Sequence, residues 1–252
     1  MTDFSAQSVQ FAWFVVDTST MMADTLMKGI LALDADTVQS NRVPSPQMPF
    51  LSSATRVEGK LKYTLNVSPG RVDLFIQPAA DPTDGLFPMM DAQHAFASVI
   101  GGLERKGSLS LPNVYRFAVV CAFLDAAAGL EDANVAFFKK VGLPYLAGAT
   151  DQDFSLNLRK SIDEPRVEMN RLVRYSVDLV QQLEMIAPAS GFANLSNSRL
   201  IRELYFLRST IDVNNVPTNS VFFDGCQVLA MAKAFTEEAA NLHRMRNIGE
   251  LA

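Results

Sequence analysis

"RVEGKLKYTLNVSPGRVDLFIQP", residues 56–78, is the stretch that decides the fold. Leu61, Tyr63, Leu65 and Val67 alternate with Lys60, Lys62, Thr64, Asn66 and Ser68, a period of two that marks a strand with one wet face. Pro69-Gly70 supplies a turn. Val72, Leu74 and Ile76 carry the return strand, with Arg71 and Asp73 facing out. A hairpin with one apolar face needs a second layer to cover it.

The flanks offer that layer. In "MMDAQHAFASVIGGLERKG" (89–107), Asp91 can cap a helix, Phe96, Val99, Ile100 and Leu103 recur at helical spacing, and Gly107 can close it. A loop with Pro78 and Pro82 precedes it. "YRFAVVCAFLDAA" (115–127) reads as a strand covered on both faces, and a short helix over Asp132 to Val141 ends at Gly142 and Pro144. Upstream, "VQFAWFVV" (9–16) predicts a strand and "TMMADTLMKGILAL" (20–33) a helix. Residues 34–55 carry Pro44, Pro46 and Pro49 and read as a long loop, either flexible or a partner-binding or lid segment.

The second half uses the same grammar. Phe154, Leu156 and Leu158 alternate, and so do Val167, Met169, Val173, Tyr175, Val177 and Leu179. "RLIRELYFLRSTIDV" (199–213) makes a third strand. A final helix begins after Phe223, with Asp224 and Gln227 at capping-box spacing and Phe223 and Val228 placed as a hydrophobic staple. Each half thus opens a helix with two large apolar residues and an Asp: Met89-Met90-Asp91 and Phe222-Phe223-Asp224. Either the chain holds two degenerate strand-strand-strand-helix halves, about 1–150 and 151–252, or staples before Asp caps coincide in one domain over 1–252. Both readings predict an α+β fold, antiparallel sheet with helices packed on one side.

Composition narrows function. At 27.6 kDa and a net charge of −5 the chain lacks the basic excess of a dedicated nucleic-acid binder. The segment Leu156 to Arg208 holds a mild local excess of cations, which either solvates a strand face or meets phosphate or an acidic partner. No apolar run is long enough to span a membrane, and the N-terminus has no basic region before its apolar stretch. Two cysteines make no disulfide framework. A soluble cytoplasmic protein with reduced thiols is expected.

The chemistry-bearing residues are few. Hydrolase, P-loop, dinucleotide and zinc signatures are absent, and two histidines with two cysteines leave little for zinc. No metal and no cofactor is expected. "TIDVNNVPTNSVFFDGCQ" (210–227) gathers Asp212, Asn214, Asn215, Asn219, Asp224 and Cys226, yet each polar residue there has a local job in ending a strand or capping a helix. Cys226 lies near a helix start, but His243 is about 25 Å further along that helix. Glu58 and Lys60 have E-x-K form, with Asp73 on the paired strand, a pattern of low specificity that a metal-dependent nuclease would share. Arg171 falls on the apolar side of its strand. A bulge can turn it out, an acid such as Glu203 or Asp212 can pair it, or it can hold an anion or a partner.

The expected function is non-enzymatic: an intracellular interaction or assembly protein that binds a protein partner or itself. Trp13, in the aromatic N-terminal strand, and Arg171 and Arg174 are the candidate binding residues. The alternatives are a nuclease-like enzyme using Glu58, Lys60 and Asp73 with Arg171 and Arg174 on phosphate, and a regulatory module that binds a small ligand.

Overall fold

The computed structural model describes residues 4–79, 88–105, 111, 113–185, 198–217 and 221–251. Gly107, Pro82 and Asn219 lie outside them. In chain order the strands are β1 (Ser5–Val15), β2 (Thr37–Ser40), β3 (Ser52–Glu58), β4 (Leu61–Ser68), β5 (Arg71–Pro78), β6 (Met90–Asp91), β7 (Val114–Ala127), β8 (Asp153–Asp163), β9 (Arg166–Met185) and β10 (Ser198–Asn215). The helices are α1 (Ala23–Leu31), α2 (Ala92–Arg105), α3 (Leu130–Val141) and α4 (Gly225–Arg244).

The hairpin expected within residues 56–78 is β4–β5. Ser68 faces Arg71 across the turn, Leu65 faces Leu74, and Gly70 takes the positive φ of 72° that so tight a turn requires. Around it the strands form one antiparallel open sheet in the order β2-β3-β4-β5-β1-β7-β10-β9-β8, with β6 beside β1. The fold is α+β, as the alternating and helical periods predict.

Register shows why one face is dry. Ala54, Leu65, Leu74, Phe11 and Val119 lie in one row across five strands, and all are fully buried. The next row runs Ser52, Val67, Val72, Trp13 and Phe117. Three helices meet this side. Ser52 Oγ accepts the Ala23 N–H that opens α1 (3.1 Å), Phe96 of α2 lies edge-on to Phe11, and Phe235 of α4 stacks on Phe117 at 5.8 Å. The alternate rows, such as Ser53, Asn66 and Asp73, fill the other face.

Helix ends follow their chemistry. Asp224 Oδ1 accepts from Gln227 N (2.8 Å) while Gln227 Oε1 accepts from Asp224 N (3.0 Å), a closed capping box at the start of α4. Asp91 Oδ1 accepts from Gln93 N in the first turn of α2. Both helices enter from the sheet, since Met90 pairs with Ala6 and Phe223 bridges Val114.

Contacts gather the chain into two compact units. One holds Met1–Phe123, Leu156–Val173 and Thr210–Arg244; the other holds Leu124–Ser155, Arg174–Ser209 and Met245–Ala252. The second has its own core in Phe137, Phe138, Val141, Tyr175 and Leu207.

Residues 34–55 depart from the expected loop. Thr37 pairs with Thr55 and Ser40 with Ser52, so β2 and β3 form a hairpin there. All four β2 residues are exposed at the rim of the sheet, so no apolar alternation marks the strand. Asp36 holds it in place, accepting from Val57 N (2.9 Å) and Arg56 Nη1 (2.6 Å), and these bonds keep its carboxyl below the usual range.

Candidate functional site

The polar segment before α4 is consumed by the fold. Asn215 is fully buried. Its Oδ1 accepts from Phe117 N (2.7 Å) and its Nδ2 donates to Tyr115 O (3.2 Å), so the side chain stands in for a strand at the start of β7. Asn214 Oδ1 accepts from Asn170 (3.0 Å), and Asn214 Nδ2 donates to Asp212 (2.8 Å). Among the described residues no cluster of His, Cys, Asp and Glu has the makings of a metal site. Cys226 is exposed in the first turn of α4, and at the far end of that helix His243 stacks on Phe123 at 4.0 Å.

Glu58, Lys60 and Asp73 do not converge. Gly59 turns the chain with φ 58°, which places Lys60 in the β3–β4 turn and not beside Glu58 on a strand face. Glu58 lies opposite Leu61, and Leu61 opposite Pro78, so Glu58 and Asp73 stand about 16 Å apart along the sheet. They also belong to opposite faces. Asp73 is already satisfied, accepting from Gln10 Nε2 (2.7 Å) and pairing with Arg71 (2.8 Å).

The three candidate binding residues have different fates. Trp13, expected at a contact surface, is fully buried between Phe11 and Phe117. Arg171 is not turned out to solvent: its side chain is 14% exposed and lies between buried Met169 and Val173 along the strand. Its acid is neither Glu203 nor Asp212 but Glu238 on α4, at 3.2 Å, which also takes Lys160 at 2.7 Å. Glu238 is nearly buried, so the two cations on β8 and β9 hold a carboxylate that could not stand there alone. Arg174 is exposed and pairs with Asp153, the first residue of β8.

An exposed apolar stretch missed from sequence lies where β9 outruns β8. β9 has 20 residues and β8 has 11, and since Asp153 meets Arg174, the stretch from Val177 onward has no β8 beside it. Its other neighbour is β10. Gln181 Nε2 donates across to Glu203 Oε1 (3.0 Å), so these two share a side, and Leu179 and Leu183 share it with Ile201 and Tyr205. Upstream residues of the same parity, Val173, Tyr175 and Leu207, are buried. Leu179, Leu183 and Ile201 are 48%, 41% and 56% exposed. The signal was in the sequence, as apolar alternation through Val177 and Leu179.

Two shallow depressions add little chemistry. One of about 640 Å³ is lined by Ser161, Asp163, Arg166, Val167, Val216 and Val221. The other, about 560 Å³, lies between α1 and Asp34. In the second unit, burial pushes the Tyr175 hydroxyl up to about 12, with the Asp125 carboxylate adding to it. Comparison with protein-family models, curated proteins and solved structures finds no match.

Proposed function

We propose that the protein is a non-enzymatic interaction or assembly protein that binds a protein partner or a second copy of itself. The observation that carries this reading is the stretch of β9 beyond β8. It joins a backbone edge that has no neighbouring strand among the described residues to exposed leucines and an isoleucine on one side. Such an edge hydrogen-bonds an added strand, and alternate apolar side chains give the pairing its specificity. The dispersal of Glu58, Lys60 and Asp73 supports the same reading against a nuclease.

The test compares the wild type with a Leu183→Lys, Ile201→Lys double variant. Both positions are exposed, so the variant keeps its fold. Light scattering on the wild type is expected to give a mass above 27.6 kDa, or capture from the native cell to yield a defined partner, and the double variant to lose it. A wild-type monomer whose captured proteins match those of the double variant overturns the proposal.

A further inference from the structure

The chain that follows α4 is held in an unusual way. In the second compact unit Met245, Asn247 and Ile248 are half-buried, while Arg246, Gly249 and Glu250 are exposed. The segment folds largely on itself. Glu250 Oε2 accepts from Arg246 N (3.2 Å), Asn247 Oδ1 accepts from Gly249 N (2.8 Å), and Asn247 O accepts from Glu250 N (3.2 Å). The short 3₁₀ turn Ile248–Leu251 packs on α3.

The tie to α3 is Lys140, whose Nζ donates to Met245 O at 2.5 Å. Lys140 is half-buried, and its ammonium lies 5.8 Å from the centre of the Tyr175 ring. Burial pushes this ammonium below the ordinary lysine value, and the Asp125 and Glu250 carboxylates oppose that effect. A cation removed from water needs acceptors. The segment supplies the Met245 carbonyl as an acceptor and the negative charge of Glu250 nearby. The dependence is mutual: the segment solvates Lys140, and Lys140 seats the segment.

We propose that Met245–Leu251 is a strap latched to α3 by Lys140, able to open as a unit while α3 and β9 stay folded. A segment with no fully buried residue over 245–250 and a charge-assisted anchor belongs to the low-stability end of a structure, from which switching elements are drawn. Opening would uncover the side of α3 on which the strap rests and free the Lys140 ammonium for another acceptor. The inference does not depend on the β9 edge.

Hydrogen exchange of the full chain, followed by mass spectrometry, tests it. Lys140→Met keeps the apolar stem and removes the charge; Lys139→Met, an exposed neighbour on α3, is the control. Strap amides are expected to exchange about tenfold faster in Lys140→Met and unchanged in the control, with α3 and β9 at wild-type rates. Glu250→Gln, at an exposed position that leaves folding intact, is expected to loosen the strap to a smaller degree. The proposal is overturned if neither Lys140→Met nor Glu250→Gln alters strap exchange. It is equally overturned if Lys140→Met loosens α3 together with the strap and Glu250→Gln does nothing.

Discussion

Two adjacent glycines in α2 should respond to the same substitution with opposite signs. In a helix interior Gly costs about 1 kcal/mol relative to Ala, so Gly→Ala is stabilising wherever the methyl group has room. At Gly101 it has room, for an added Cβ would meet only the far end of Arg105, at 3.7 Å. At Gly102 it would lie 1.6 Å from Ile30 O and 2.8 Å from Ile30 C. Those atoms are backbone in the last turn of α1, where Ala32 N bonds Lys28 O, so they cannot rotate away as a side chain would. The α1 carbonyl must retreat by about 1.5 Å to restore contact distance, with overpacking that costs about 3 kcal/mol against the 1 kcal/mol gained in propensity. Gly102→Ala is therefore expected to lose about 2 kcal/mol, and Gly101→Ala to gain about 1 kcal/mol. The assay is urea unfolding followed by fluorescence of the single tryptophan, Trp13, which is buried in the same unit as α1 and α2. Equal signs for the two variants, or a more stable Gly102→Ala, would refute the close helix approach.

Two further outcomes concern buried polar groups. Tyr175 titrates near 10 when unfolded and at about 12 when folded, so its contribution is intact below pH 10 and is lost as pH rises towards 12. Over that window the wild type should lose about 2–3 kcal/mol more stability than Tyr175→Phe, and parallel curves for the two proteins would remove the argument. Glu238→Ala should cost about 3 kcal/mol by leaving Arg171 buried without its acid, whereas Lys160→Ala, which removes a half-exposed cation and leaves Glu238 paired with Arg171, should cost under about 1 kcal/mol. Chemical denaturation of both variants separates the two, and equal losses would contradict the assigned roles.

Much of the fold could be read because its signals are local. Leu61 to Ile76 declares a dry face and a turn within a few residues, and Asp224 with Gln227 writes a helix start in four. What stayed hidden depends on distant neighbours. β2 has no buried position, so nothing in Thr37–Ser40 distinguishes it from a loop until Ser52–Glu58 lies beside it. Arg171 was visibly on the wrong side of its strand, but its acid lies 67 residues away on α4. Glu238 is surrounded there by Phe235, Ala239 and Leu242, so a charge that helical periodicity leaves near the stripe ends up beneath it. The separation of Glu58 from Asp73 likewise depends on a turn at Gly59 that shifts the E-x-K pair off the strand.

The β9 alternation shows the limit of such reading most clearly. Val173, Tyr175, Val177 and Leu179 form one continuous apolar parity, broken by Gln181 before Leu183, and period alone assigns these four to the core. In the fold the first two are buried while Leu179 is exposed, although nothing in the pattern changes between them, and Leu183 beyond Gln181 is exposed as well. Periodicity states what one side of a strand must meet; it does not state whether the same chain supplies it. Where the chain does not, the apolar side chains carry the cost of exposure unless another surface covers them. That is why a stripe that sequence assigns to the interior becomes, at Leu179, Leu183 and Ile201, the strongest physical argument for a binding role.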